Sequence, residues 1–236
     1  MSPKELDEWY SIKEYDPESR ELDRILKLGR VRGKKVLLVG AYGVMSISFK
    51  LQKYAKSIVA VHSDKEIISY CKGKSKEIDF QVGNIARLKF PEKSFDVVVS
   101  PWGGLHYRRD KSEIVKGLKR VLNDDGILLV EEADETSEFV KILNLIAPPR
   151  KLKIKEKREE LRKVLCKEFC VGEVKLSTYY AFKNKNQFRG YFKKEIEFDE
   201  KKRFTREMEE KLGGYISGKR TLRVGEKSVF FVCKGK

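Results

Sequence analysis

Lys35-Val36-Leu37-Leu38-Val39-Gly40 is the stretch on which the architecture turns. An unbroken apolar run closed by glycine, without the alternation of a half-exposed strand, reads as a strand covered on both faces. Four further strand-like runs follow: Ser57-Ile58-Val59-Ala60-Val61, the alternating Ile78-Asp79-Phe80-Gln81-Val82, Phe95-Asp96-Val97-Val98-Val99 and Ile127-Leu128-Leu129-Val130. Helical patterns separate several of them. Residues 44–56 carry Ile47, Phe49, Leu51 and Tyr54. Asp64 caps a helix to about Lys74 with Ile67, Ile68 and Cys71 inward, and 111–121 carries Ile114, Leu118 and Val121. Strand and helix alternate five times over 35–131, the signature of a parallel sheet wrapped by helices. Right-handed crossovers make it a doubly wound, Rossmann-like α/β layer.

On the amino side, Asp16-Pro17 is expected to start a helix that buries Ile25 and Leu28 and stops at Gly29. On the carboxyl side, Pro148-Pro149 breaks the chain. A basic amphipathic helix is expected over 150–168, with Leu161 and Leu165 opposite Lys155, Arg158 and Arg162. Such a helix lies on an anionic surface or packs its stripe on a sheet; the packing role is the commoner. Strand character returns at Val171–Ala181 and Ser228–Cys233, with helices at 184–194 and 205–212 between them.

The net charge is +16, unevenly spread: residues 1–135 carry +3 and residues 136–236 carry +13. A local positive field favours acidic small molecules, RNA or an anionic surface. Charged residues at 37% also fit a thermophile-like Lys/Glu-rich surface. No run is long and apolar enough to span a membrane, and the N-terminus has no apolar signal core, so a cytoplasmic protein is expected. Cys71, Cys166, Cys170 and Cys233 match no zinc spacing; free thiols and no metal are expected.

Ligands of doubly wound sheets sit beyond the carboxyl ends of the strands. Three of those ends stand out. Gly40-Ala41-Tyr42-Gly43 offers small residues before a helix N-terminus. His62-Ser63-Asp64 lies where nucleotide-binding sheets usually place a carboxylate on ribose. At the third, Asn84 is placed to bond a base edge and Ile85 to pack on its face. Each is also what an ordinary loop looks like.

Together these ends and their spacing resemble the class I S-adenosylmethionine-dependent methyltransferases, in particular the small-molecule domain group. Ile78–Asn84 resembles that family's third-strand motif. Leu88-Lys89-Phe90-Pro91-Glu92-Lys93-Ser94-Phe95-Asp96-Val97-Val98 is similar to its "lPFpdnsFDvV" stretch. Leu105-His106-Tyr107, Ile114 to Arg120-Val121-Leu122 and Gly126 are similar to "lhh…l.e..RvLkpGG". The resemblance implies strand order 3-2-1-4-5-7-6 with strand 7 antiparallel, Ser228–Cys233 being strand 7 and Val171–Ala181 strand 6. It implies S-adenosylmethionine as cofactor, held by Gly40, Ala41, Tyr42, Gly43, His62, Ser63, Asn84, Ile85 and Ser100. It further implies an N-terminal lid segment over 1–30, a main domain of 31–182 and 223–236, and a substrate-side insert at 183–222.

The chain departs from the family at the cofactor. Against D/E-x-G-x-G-x-G aligned on Gly40, Leu38 replaces the acid, Tyr42 the second glycine and Val44 the third. Aligned on Gly43, Val39 replaces the acid, Ala41 the first glycine and Met45 the last. His62 replaces the ribose carboxylate and Asn84 an aspartate. A neutral imidazole accepts one hydrogen bond where a carboxylate accepts several, charge-assisted. Trp9, Tyr10 and Tyr15 are candidates for an aromatic lid. Ser100-Pro101-Trp102-Gly103-Gly104 echoes the amine-binding motif of base methyltransferases, with Trp102 as a stacking platform. Methyl transfer needs alignment more than acid–base help; if a base is used, His106 and Tyr107 are the candidates, with Glu131 next. Three functions stand: a methyltransferase acting on an acidic small molecule or RNA, a non-catalytic binding protein of the same fold, and an RNA base methyltransferase.

Overall fold

The computed structural model describes residues 5, 14–40, 43–102, 105, 108–146, 154–198, 203–219 and 222–236. Its strands are β1 (Glu14–Tyr15), β2 (Lys35–Val39), β3 (Ser57–His62), β4 (Asp79–Val82), β5 (Phe95–Pro101), β6 (Leu122–Ala133), β7 (Cys170–Ala181) and β8 (Arg223–Lys234). Its helices are α1 (Arg20–Gly29), α2 (Ser48–Leu51), α3 (Lys65–Lys74), α4 (Lys111–Val121), α5 (Glu138–Ile146), α6 (Ile154–Glu168), α7 (Lys185–Phe198) and α8 (Arg206–Ile216). The sheet order is β1-β7-β8-β6-β5-β2-β3-β4. Counted from Lys35 this is 3-2-1-4-5-7-6 with the last strand antiparallel, the order the resemblance implies, plus the two-residue β1 at the β7 edge. The chain divides into two compact units, and β7 and β8 each contribute residues to both.

The larger unit comprises Arg20–Ala133, Ile154–Leu176 and Val229–Lys236. β2 runs parallel to β3 and β5, β3 to β4, and β5 to β6. Val36, Leu37, Leu38 and Val39 are fully buried, so both faces are covered and the unbroken apolar run is explained. On one face Leu37, Val39, Val61, Val98, Leu128 and Val130 pack with Ile114, Val115 and Leu118 of α4 and Leu161 and Leu165 of α6. Burying each such side chain stabilises the fold by about 1.5–3 kcal/mol. The charged side of α6 is spent on exposed ion pairs, Lys111 to Glu160 at 2.9 Å and Lys119 to Glu168 at 3.2 Å. α6 is therefore a surface helix packing an apolar stripe.

The 88–98 stretch is stitched to the sheet by its own side chains. Asp96 Oδ2 accepts from the Lys35 amide at 2.8 Å, and Oδ1 from Asn123 Nδ2 at 2.8 Å. Arg120 donates to the carbonyls of Phe90 and Leu88, both at 2.8 Å. At Gly126 a Cβ would fall 2.5 Å from Leu122 Cγ and 2.9 Å from the Asn123 carbonyl, so only glycine fits beside the register shift between β5 and β6.

The smaller unit comprises Met1–Ser19, Asp134–Lys153 and Ser177–Ser228. Glu14 and Tyr15 pair antiparallel with Ala181 and Tyr180. Its core is aromatic. The Phe139 ring lies 5.2 Å from that of Tyr180 and 5.5 Å from that of Phe192, and the Phe182 ring lies 5.2 Å from that of Phe188. Glu138 ties α5 to the rest of this unit: its carboxylate accepts from the Tyr215 hydroxyl, from Lys219 Nζ at 3.0 Å and from the Gly225 amide at 2.7 Å. Burial works to raise the Glu138 pKa, but these donors outweigh it and hold the group below its ordinary range.

Two local expectations are corrected. Asp16-Pro17 is a turn and not a helix start. The Asp16 amide donates to the Tyr179 carbonyl at 3.0 Å and its backbone is left-handed (φ 51°), so α1 waits until Arg20. The helix expected over 44–56 is a wide π turn at Gly43–Ile47 followed by the single turn α2. Val44, Met45, Ile47 and Leu51 all bury, and beyond them the backbone bonds the segment before β2, Gly33 to Tyr54 and Lys56 to Lys34, both at 2.9 Å. The four cysteines are free thiols.

Candidate nucleoside site at the strand tips

β5, β2, β3 and β4 are neighbours in the sheet, and all four end on the same side. The chain goes from β2 to β3 on one side and later to β5 on the other, so the strand order reverses at β2. That reversal is where open α/β sheets bind ligands. Gly40, Gly43, His62, Ser63, Asn84, Ile85 and Ser100, seven of the nine residues assigned to the cofactor, lie on these tips. Ala41, Tyr42, His106, Tyr107, Trp9 and Tyr10 lie outside the described residues.

At the first tip Gly40 is left-handed (φ 89°), a conformation that favours glycine, and its carbonyl accepts the Val44 amide at 3.0 Å. A Cβ on Gly43 would meet Pro101 Cδ at 3.1 Å, so the turn lies close against the end of β5. Leu38, in the acid's place, is fully buried and pairs with Ala60 and Val99. Val44 and Met45 also turn into the core. The π turn itself is a form often found at functional sites.

At the second tip His62 is half-buried and sits opposite Val82 of β4. Its Nδ1 accepts the Asp64 amide at 3.1 Å. Burial lowers its pKa, against the opposing pull of Asp64, and so favours the neutral ring. Asp64 Oδ1 caps α3 by accepting from Glu66 at 2.8 Å and Ile67 at 3.3 Å. Ser63 is exposed.

At the third tip the Gly83 amide donates to the His62 carbonyl at 3.0 Å. A Cβ on Gly83 would fall 2.9 Å from Val61 Cγ1, so glycine keeps β3 and β4 together here. Asn84 Oδ1 accepts the Ala86 amide at 2.9 Å and caps a short 3₁₀ turn, Ile85–Arg87. Ile85 is half-buried against the core, and Val82 is among the few large apolar residues left exposed.

The fourth tip carries two features that composition and spacing do not reveal. The Ser100 hydroxyl is completely buried and has no hydrogen-bond partner among the described residues. Leaving such a group unpaired costs about 1–3 kcal/mol. Trp102 is left-handed (φ 50°), an outlier for a bulky residue. Its amide donates to the Glu131 carbonyl at 3.0 Å, and its indole Nε1 donates to Glu21 Oε1 of α1 at 2.7 Å. Glu21 is fully buried. The strained backbone and the clamped ring edge fix the orientation of the indole. Glu131 is buried too. Tyr15 stacks in the smaller unit, its ring 4.9 Å from that of Tyr180.

These groups fit a nucleoside. Gly40 adds no side chain to the first tip, His62 and Asn84 carry groups able to hydrogen-bond a sugar or a base, and the buried Ser100 hydroxyl has no partner among the described residues. No three metal-ligating side chains cluster among the described residues, and no helix among them is long and apolar enough to cross a membrane.

Comparison with known proteins bears on the fold around these tips. Residues 37–130 match the family model described as "Methyltransferase domain". A Bacillus subtilis (strain 168) protein described as the uncharacterized methyltransferase YcgJ is 29% identical over 153 residues; the match covers 60% of this chain and 60% of that protein. The crystal structure of B. subtilis YcgJ superposes with a TM-score of 0.60 at 17% identity, covering 91% of this chain and 98% of that one. A SAM-dependent methyltransferase from Aquifex aeolicus gives 0.53 at 19% identity over 73% of this chain and 90% of that one. The [4+2]-cyclase SpnF gives 0.58 at 17% identity over 92% and 80%. Likeness at these identities speaks to the fold alone.

Proposed function

We propose that the chain, whose residues 37–130 match the methyltransferase domain model, is a class I S-adenosylmethionine-dependent methyltransferase that binds S-adenosylmethionine at the tips of β2, β3, β4 and β5 and methylates an acidic small molecule. The observation that carries the proposal is the buried Ser100 hydroxyl at the tip of β5, without a partner among the described residues and next to the Pro101 that packs on the Gly43 turn. A bound polar ligand removes the cost of that group.

The cofactor supplies an electrophilic methyl group on a sulfonium and leaves as a thioether. The chain's own contribution is alignment and exclusion of water. Gly40 and Gly43, without side chains, let a ligand approach the backbone. His62 and Asn84 hold the nucleoside, with Ile85 and Val82 beside the base. Trp102, held by Glu21, sets one wall. The preference for an anionic acceptor rests on the +13 carried by residues 136–236.

A second reading, a binding protein that does not transfer methyl groups, is supported by Leu38. A fully buried leucine cannot do what the family's acid does near the cofactor's amino end. The [4+2]-cyclase of like fold is an instance of other chemistry on this architecture.

Calorimetry with S-adenosylmethionine and S-adenosylhomocysteine tests the proposal. Saturable one-to-one binding of both is expected, weakened about tenfold by Ser100→Ala, the loss of one hydrogen bond. Absence of binding at millimolar ligand defeats it. Binding without any methyl transfer to a panel of anionic acceptors favours the second reading.

A further inference from the structure

At the tips of β3 and β4 the polar groups left over by the chain's own hydrogen bonds are donors. A backbone N–H meets only an acceptor, so the Asp64 amide 3.1 Å from His62 Nδ1 requires a lone pair there. A neutral imidazole carries a single proton, which is therefore on Nε2. The same logic orients Asn84: its oxygen faces the Ala86 amide at 2.9 Å, which turns the NH2 group the other way. A carboxylate in either place offers only acceptors. Here the imidazole's remaining polar group is a donor, and the amide's most available group is a donor too.

We propose that His62, supported by Asn84, reads the ligand through its lone pairs: Nε2–H donates to a ribose oxygen and Asn84 Nδ2–H to an acceptor on the base edge. This rests on the reading under Proposed function and adds a rule of selectivity to it. A site that accepts from ribose hydroxyls needs their protons. A site that donates to ribose oxygens needs only the oxygens. The wild-type protein is thus indifferent to whether the 2′ and 3′ oxygens carry hydrogen, while an Asp at position 62 makes the proton matter.

Two measurements test this, the first without any ligand. Two-bond ¹⁵N–¹H correlations of the histidine rings at pH 8, with His62→Gln used to tell His62 from His106, are expected to show His62 as the Nε2–H tautomer. The Nδ1–H tautomer overturns the proposal. The second compares S-adenosylhomocysteine with its 2′-O-methyl and 3′-O-methyl ethers by calorimetry, on wild type and on His62→Asp. Steric exclusion of a methyl group acts on both proteins and cancels in the ratio. Methylation is expected to cost His62→Asp at least ~10-fold more affinity than it costs wild type, the loss of one charge-assisted bond. Equal costs overturn the proposal and leave the function standing. If S-adenosylhomocysteine itself does not bind the wild type, the function and this rule fall together.

Discussion

Residues 88–130 and the strand tips at 40–44, 62–64 and 84–85 differ in what keeps them as they are. The first region holds the most family-like sequence, yet its distinctive side chains face the protein. Arg120 bonds two carbonyls, Asp96 bonds the starts of β2 and β6, and Gly126 has no room for a side chain. The second region departs from that pattern and holds the proposed ligand contacts. The likeness is thus carried by structural residues, and the proposed chemistry rests on the ones that depart from it. A motif that identifies the fold need not touch the substrate.

The largest effect that separates the two regions is expected at Arg120. Arg120→Ala removes two hydrogen bonds from a charged donor and is expected to lower stability by roughly 2–4 kcal/mol in urea unfolding, with ligand affinity of the folded fraction unchanged. Altered affinity at unchanged stability would merge the two regions and break the contrast. Gly126→Ala comes next, at about 1–3 kcal/mol, because Leu122 must move. A neutral outcome would show that the β5–β6 register shift has slack.

The converse is expected at His62. His62→Ala should cost S-adenosylhomocysteine about tenfold in affinity and less than about 1 kcal/mol in stability, since only the Asp64 contact is lost. The smallest effect is a pH slope. Burial places the folded His62 pKa below that of the unfolded chain, so the unfolded state takes up the proton first. Stability should therefore fall as pH drops from 7 through about 6.5, the unfolded value, and level off below the folded pKa. Denaturation midpoints of His62→Gln should lack that slope. An identical slope in both proteins would assign the proton elsewhere.

The five alternations of strand and helix made the sheet legible, because burial on both faces leaves unbroken apolar runs such as 36–39. The tips were legible as places and not as chemistry. No spacing rule tells that His62 Nδ1 is already taken by the Asp64 amide, that the Ser100 hydroxyl is buried without a partner among the described residues, or that Glu21, some eighty residues earlier, holds the Trp102 indole. Those are contacts across elements, and they depend on the finished packing. The helix expected over 44–56 failed for a similar reason. Its residues are good enough helix formers, but tertiary bonds to Gly33 and Lys34 claim the backbone after Leu51.

The central claim, that a nucleoside lodges on the tips and leaves the 88–98 stretch untouched, is tested most directly by following backbone amides in ¹H–¹⁵N spectra during titration with S-adenosylhomocysteine. Saturable shifts confined to the neighbourhoods of Gly40, His62, Asn84 and Ser100 are predicted. Shifts centred on 88–98 and α4, or none at millimolar ligand, would contradict it.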